Sequence, residues 1–172
     1  MVEIRQLTAE QAREHVPALA DVLLDCVRGG ASVSFLASLT RSEAEAFFEK
    51  VVDGVERGER ILLTAFLDSK LVGTVQIVLA TPPNQPHRAD VAKLLVHRSA
   101  RRQGVAKRLM ESVEVASRNA GKSLLVLDTV TGDPAERLYS SLGWNRVGVI
   151  PKYALYPDGT WCDTTIFWKQ LS

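Results

Sequence analysis

Hydrophobic positions change period several times along the chain, and each change marks an element. Residues 2–7 alternate well enough for a first strand. Thr8, followed by Glu10 and Gln11, reads as an N-cap with helix-starting partners. Over residues 16–27 apolar side chains recur at Leu19, Leu23, Cys26 and Val27, a helical stripe closed by Gly29-Gly30. A further helix is predicted from about Ser42, where Ser42-x-x-Glu45 has capping-box form, to Arg57. Residues 61–67 and 71–80 are β-rich runs separated by Asp68-Ser69-Lys70, the pattern of an antiparallel hairpin. Pro82, Pro83 and Pro86 end that hairpin in a loop.

Residues 88–97 form the next predicted strand. A helix over 103–119 follows, with Val105, Leu109, Val113, Ala116 and Ala120 on one face and Gly121 at its end. Residues 123–128 are apolar without alternation, which predicts a strand buried on both faces. Asp133 caps a short helix with Pro134 at its first position, running to Leu142 before Gly143 stops it. The last strands, 144–154 and 161–171, join around Pro157-Asp158-Gly159. The order is one strand, two helices, then β-β-β-α-β-α-β-β. It predicts one α/β domain over residues 1–172, a mixed central sheet of about seven strands flanked by about four helices.

Composition removes several classes of function. Hydrophobic residues make up 46% and charged residues 24%, values of a packed globular chain, which excludes intrinsic disorder. Lys+Arg 21 against Asp+Glu 20 leaves a net charge of +1, whereas a nucleic-acid binder carries a clear positive surplus, so no nucleic-acid partner is expected. Apolar runs such as Ile61-Leu62-Leu63 are too short to span a bilayer, and Met1-Val2-Glu3-Ile4-Arg5 lacks the apolar core of a signal peptide, so no membrane partner is expected either. Cys26 and Cys162 stand alone without metal-ligand spacing, as do His15, His87 and His97; no metal is expected, and a reducing cytoplasm is the expected compartment.

One segment concentrates charge. A predicted strand, Ala92-Lys93-Leu94-Leu95-Val96, runs through His97-Arg98-Ser99-Ala100 into Arg101-Arg102-Gln103-Gly104-Val105-Ala106-Lys107-Arg108, and the last of these open a helix. Between His97 and Met110 stand Arg98, Arg101, Arg102, Lys107 and Arg108, with no acid among them. Free N–H groups at a helix N-terminus, the positive end of its dipole and flanking arginines together cradle a phosphate. Gly104 lets the backbone approach that phosphate closely, and Ala106 adds little obstruction. The segment has neither the Gly-Lys-Ser/Thr of a P-loop nor a Gly-x-Gly-x-x-Gly fingerprint.

With Arg101-x-x-Gly104-x-Ala106 at the start of a helix, the chain resembles the GNAT superfamily of N-acetyltransferases over essentially its whole length. The resemblance implies a GNAT fold and acetyl-CoA as co-substrate, its pyrophosphate held by Arg101, Arg102, Gln103, Gly104, Val105, Ala106 and Lys107. The resemblance also implies that the strand before this loop carries a bulge and splays from its neighbour, so that the pantetheine arm would pair along Leu94, Leu95 and Val96 like an added strand. A backbone N–H near Leu95 or Val96 would face the thioester oxygen. A second family signature, Asn-x-x-Ala-x-x-Leu-Tyr before Gly-Phe, reads here Gly132-Asp133-Pro134-Ala135-Glu136-Arg137-Leu138-Tyr139, then Gly143-Trp144. Tyr139 thus falls where a phenol protonates the departing thiolate, and Gly132 replaces the family's Asn. Asp133 is the candidate to stand in for it. Family members are often dimers, although nothing in this sequence marks a homodimer interface.

The acceptor implied by the resemblance is a small amine, among them amino acid-like antimetabolites; another antibiotic, a metabolite or a protein N-terminus stays open. A carboxylate must take the proton of an ammonium whose pKa is around 10. Asp128, ending Leu124-Leu125-Val126-Leu127, is a candidate base in a desolvated setting, the alternative being a carboxylate that binds nearby loop N–H groups. Asp90 is the second candidate; by the two-residue period it should share a face with Ala92, Leu94 and Val96, and its alternative is a salt bridge with Arg88 or Lys93. Phe35, Trp144 and Trp161 are candidates to wall the acceptor pocket, against ordinary core or edge packing. A second class of function, an inactive acyl-CoA-binding module, is favoured only by Gly132.

Overall fold

The computed structural model describes residues 1–172. Its strands are β1 (Val2–Gln6), β2 (Arg60–Leu67), β3 (Lys70–Val78), β4 (Arg88–Val96), β5 (Leu124–Val130), β6 (Asn145–Leu155) and β7 (Trp161–Gln170). Its helices are α1 (Ala9–Glu14), α2 (Val16–Arg28), α3 (Arg41–Glu56), α4 (Val105–Asn119) and α5 (Pro134–Ser141), with a short 3-10 turn over Arg98–Ala100. The strands form one sheet in the order β1-β2-β3-β4-β5-β7-β6. Every neighbouring pair is antiparallel except β4 and β5, which run parallel. The mixed seven-stranded α/β sheet is as the sequence predicts.

Three local details differ from the sequence reading. The helical stretch after β1 is two helices, because the backbone departs at His15 (φ −97°, ψ 3°) and Pro17 has no N–H to continue the first helix. This gives five helices where about four were expected. Second, α3 is capped by Thr40 rather than Ser42: the Glu43 N–H donates to Thr40 Oγ1 at 3.2 Å and the Thr40 N–H donates to Glu43 Oε2 at 2.8 Å. Both serine and threonine strings fit a capping box, and the reciprocal pair forms at the earlier one. Third, β5 is not buried on both faces. Leu125 and Leu127 are buried while Leu124 and Val126 are half-buried and Asp128 is exposed.

Two hydrophobic cores sandwich the sheet. On one face α1, α2 and α3 pack Leu19, Leu23, Phe48 and Val52 against Leu62, Phe66 and Leu95. On the other, Leu109, Met110 and Val113 of α4 meet Val75, Val91, Leu125 and Phe167, with Tyr139 and Trp144 closing the end. Fully burying each such side chain contributes about 1.5–3 kcal/mol, which is how a sheet of marginal strand pairs becomes a rigid platform. The β2–β3 hairpin turns at Asp68 (φ 49°) and Ser69 (φ 65°), both left-handed, the backbone that matches the twist of its strands.

Candidate active site

The site begins where two strands part. β4 and β5 pair at Arg88 with Leu124, Ala89 with Leu125 and Asp90 with Val126, and no further. Beyond these rungs β5 pairs with β7 and β4 with β3, so the facing edges of residues 91–96 and 127–130 open into a cleft. Within that stretch β4 carries one extra residue. Gln76 lies opposite Ala92 and Thr74 opposite Leu95, two steps on β3 against three on β4. Lys93 takes up the difference in a left-handed conformation, φ 56°. The bulge reverses side-chain parity. Ala89 and Val91 lie in the α4-side core, Leu95 lies in the opposite core, and Leu94 and Val96 pack toward α4. The expectation that Asp90 shares a face with Leu94 and Val96 is therefore corrected; the two-residue period does not survive an inserted residue.

β4 leads into the basic loop. Its first α4 hydrogen bond is Arg108 N–H to Gly104 O at 3.1 Å, which leaves the N–H groups of Val105, Ala106 and Lys107 at the helix start without backbone acceptors. No acidic residue occupies that turn. Arg102 (φ 60°) and Gly104 (φ 77°) are both left-handed, and a side chain at Gly104 would meet only open space. A staple from α2 fixes the loop: Asp25 accepts the Arg98 N–H at 2.8 Å and pairs with its guanidinium, and His97 Nε2 stands 3.6 Å away. Burial pushes the Asp25 carboxyl up, but the Arg98 N–H and guanidinium, together with the charges of His97 and Arg98, outweigh it and hold the group below the ordinary carboxylate range.

The loop's cations are sorted by these contacts. Arg98 is committed to Asp25, Arg108 donates to Val2 O, and Lys107 sits 3.8 Å from Glu111. Arg101 turns inward and donates from Nε to Val96 O at 3.2 Å. Arg102 is exposed and has no ion-pair partner. Gln103 donates to Ser99 O at 3.1 Å.

The three catalytic candidates converge less evenly. The β4–β5 register puts Asp90, Val126 and Asp128 on one sheet face. Asp90 is nonetheless bound to Arg88, the alternative the sequence left open. Asp128 is exposed rather than desolvated, and its charge reaches both Lys93 and Tyr139. Tyr139 is 5% exposed, its ring 5.7 Å from that of Phe167 and 6.0 Å from that of Trp144. Burial, with the charges of Asp133 and Asp128, raises its phenol well above the ordinary tyrosine value.

Asp133 caps α5, accepting the Ala135 N–H at 2.9 Å, and the Gly132 N–H donates to Glu136 Oε2 at 3.0 Å. Asp133 is thereby engaged in the cap and does not replace the family's Asn as a free side chain. Trp144 is buried in the α4-side core, Trp161 is 64% exposed at the start of β7, and Phe35 is half-buried with its ring 5.2 Å from that of Phe47.

Sequence reasoning passed over Lys93 and Ser34. The Lys93 ammonium donates to Ser34 Oγ at 2.9 Å. The only available signal was a lysine within an apolar strand. Ser34 belongs to the loop between α2 and α3, which crosses to the β6–β7 turn through Ser32 Oγ to Leu155 O (2.6 Å) and Ala37 N–H to Pro157 O (2.9 Å). A cavity of about 640 Å³ lies beside this crossing, lined in part by Arg28, Ala37, Tyr156 and Thr160. No group of His, Cys, Asp and Glu side chains is placed to hold a metal ion, and no helix is long and apolar enough to cross a membrane.

Comparison with known proteins bears on this geometry. Residues 24–144 match the family model described as the acetyltransferase (GNAT) family. The chain belongs to that family of acetyltransferases. It is 32% identical over 112 residues to an uncharacterized N-acetyltransferase of Azospirillum brasilense, which covers 64% of this chain and 65% of that protein. The alignment thus spans just under two thirds of the relative's length. Among solved structures, the chain superposes on an N-acetyltransferase from Staphylococcus aureus with TM-score 0.83 at 18% identity, over 100% of this chain and 99% of that one. It superposes on yncA from Salmonella typhimurium, a structure with its cofactor acetyl-CoA, with TM-score 0.81 at 17% identity, over 100% of this chain and 95% of that one. The family's acetyl donor is acetyl-CoA, and this chain's residues fit it: free helix N–H groups, left-handed backbone at Arg102 and Gly104 and an unpaired guanidinium suit a pyrophosphate, while the open β4 edge suits an amide-bearing arm.

Proposed function

We propose that the protein transfers the acetyl group of acetyl-CoA to the amine of a small molecule by direct attack. The observation that carries this reading is the β4–β5 splay, which opens at Asp90 and Val126, contains the Lys93 bulge and leads straight into the phosphate-binding loop. The donor supplies an activated thioester. Residues 101–107 hold its pyrophosphate, and Leu94, Leu95 and Val96 offer backbone groups to its arm, with the N–H near Leu95 or Val96 donating to the thioester oxygen. Asp128 holds the acceptor ammonium and takes its proton, directly or through water, freeing the nitrogen lone pair. The nitrogen–carbon bond forms, the carbon–sulfur bond breaks and Tyr139 donates its proton to the departing sulfur; the second proton that the nitrogen sheds on becoming an amide restores the phenol, and the proton on Asp128 passes to solvent. A phenol whose pKa is pushed up by burial remains an acid at neutral pH, as this role needs. Asp90 lies on the same sheet face, but its charge is taken up by Arg88, and this reading gives the proton to Asp128.

The whole of residues 1–172 acts as one acetyltransferase domain in this reading, in the cytoplasm, and a homodimer is compatible with it. The segments Gly29-Gly30-Ala31-Ser32-Val33, Arg88-Ala89-Asp90-Val91-Ala92-Lys93-Leu94, Leu125-Val126-Leu127-Asp128-Thr129 and Pro157-Asp158-Gly159 resemble the tabtoxin resistance protein. On that resemblance the acceptor is a β-lactam amino acid such as tabtoxinine-β-lactam, and the role is toxin or antibiotic resistance.

The test is thiol release from acetyl-CoA across a panel of small amines that includes this lactam, for the wild type, Tyr139→Phe and Asp128→Asn. Turnover that falls by roughly 10²-fold in both variants supports the assignment. Tight acetyl-CoA binding without turnover of any amine overturns it in favour of an acyl-CoA-binding module, the reading that Gly132 favours.

A further inference from the structure

Lys93 has no part in the chemistry above, yet it stands inside the cleft. Its ammonium is half-buried and carries three N–H donors, of which the protein occupies one, through Ser34 Oγ at 2.9 Å. No carboxylate lies within ion-pairing distance of it. Lys169, also half-buried, is treated differently by the fold: Glu114 Oε1 and Leu142 O both accept from it at 2.5 Å. Burial pushes the Lys93 pKa down, the charge of Asp128 opposes this, and the charge of Arg60 adds to it. The cleft therefore presents a cation with no carboxylate partner, tied to the loop strap through Ser34, with Arg60 and the exposed Asp128 near enough for their charges to act on it. Asp90 does not compensate, being bound to Arg88.

Two features hold Lys93 in place. The bulge sets its backbone at φ 56°, and Ser34, its partner, is itself left-handed at φ 79°. The strap that carries Ser34 is tied at both Leu155 and Pro157. A flexible lysine free in solvent needs no such framing; a cation with vacant donors facing a cleft is arranged to receive an oxyanion.

We infer that Lys93 and Ser34 Oγ form an anion subsite of the acceptor pocket, and that the acceptor is an amine bearing a carboxylate close to its nitrogen, an amino acid. Its ammonium faces Asp128 and its carboxylate faces Lys93, so the two charges of the zwitterion meet the two unpaired charges of the cleft. This inference rests on the proposed acetyl transfer to a small amine and adds its specificity. A simple diamine or polyamine meets Lys93 with like charge and is disfavoured.

The experiment compares matched pairs, each an amino acid and its decarboxylated amine (lysine with cadaverine, phenylalanine with phenethylamine), for the wild type, Lys93→Gln, Lys93→Arg and Ser34→Ala. The wild type should favour the amino acid by roughly 10- to 10²-fold in kcat/KM, the range of a hydrogen-bonded charge. In Lys93→Gln that ratio should fall toward one through KM for the amino acid, and Lys93→Arg should restore most of it. Calorimetric titration of the CoA-loaded protein with the amino acid gives a second readout, in which Lys93→Gln weakens binding by a similar factor. Intact mass after incubation with acetyl-CoA should show Lys93 unmodified; an acetylated Lys93 would mean that it is an acceptor itself and overturns the subsite. Equal losses for both members of each pair in Lys93→Gln mean a structural role and also overturn it. Wild-type turnover of amines with no carboxylate preference defeats this inference alone, whereas no turnover of any small amine defeats the proposed function and this inference with it.

Discussion

Val91 and Leu95 stand four residues apart on β4 and belong to opposite cores. In a regular strand that spacing puts both side chains on one face. The inserted Lys93 between them turns the strand over, so that Leu95 anchors against α2 and α3 while Leu94 and Val96 lean toward α4. The same residue interrupts the pairing of β4 with β3 and lies within the cleft, open from Asp90 and Val126 onward, in which the acetyl transfer is proposed to occur.

A left-handed backbone tolerates glycine and resists β-branched residues. Lys93→Val should lower unfolding stability by about 1–2 kcal/mol relative to Lys93→Gly. Urea denaturation of the two variants measures the difference. Equal stability would mean that the bulge does not depend on the conformation of residue 93.

The Asp25 staple should be visible in acid. A carboxyl whose folded pKa lies below its unfolded value contributes stability that is present above the unfolded pKa of about 3.9 and is lost as pH falls through the folded one. Wild type should thus be more stable than Asp25→Asn at neutral pH, and the two curves should converge in acid. Loosening the turn that Arg98 anchors should also raise KM for acetyl-CoA several-fold. An unchanged KM would separate the staple from the phosphate loop.

Gly104 combines φ 77° with open space where a side chain would go. Gly104→Ala should cost about 1–2 kcal/mol of backbone strain and place a methyl group at the phosphate cradle. Its expected signature is a KM for acetyl-CoA raised roughly 10-fold with a smaller change in kcat. Stopped-flow or steady-state kinetics against acetyl-CoA checks it, and a change confined to kcat would contradict the placement.

Tyr139 gives an alkaline signature. Its folded pKa is raised above the unfolded value of about 10, so its contribution to stability is full below pH 10 and declines as pH rises beyond it, where the unfolded chain ionises and the folded one does not. Tyr139→Phe should flatten that alkaline decline while keeping its ring packing against Phe167 and Trp144. Thermal melts across pH 8 to about 11 compare the two. Identical slopes would place the phenol in contact with solvent.

Much of the molecule is written locally. The alternation of β1, the stripe of α4, the Asp133 cap with Pro134 and the turn at Asp68-Ser69 each lie within a few residues of sequence, and short-range sterics and hydrogen bonding decide them. The basic loop proposed to hold phosphate was legible as a local form for the same reason: strand, loop and helix start are contiguous. A bulge in this strand was implied by the family resemblance, but its place at Lys93 was not legible, because an extra residue is defined only against the register of β3. Nor were the partners that chose among candidates. Arg88 claims Asp90, Asp25 claims Arg98 from 73 residues away, and Lys93 meets Ser34 across 59. The sequence by itself therefore determined most of the elements, their order and the basic loop that opens α4. Which charges are paired, which stay open and where the cleft parts were decided by the tertiary structure, because burial and ion pairing depend on neighbours that only the folded sheet brings together.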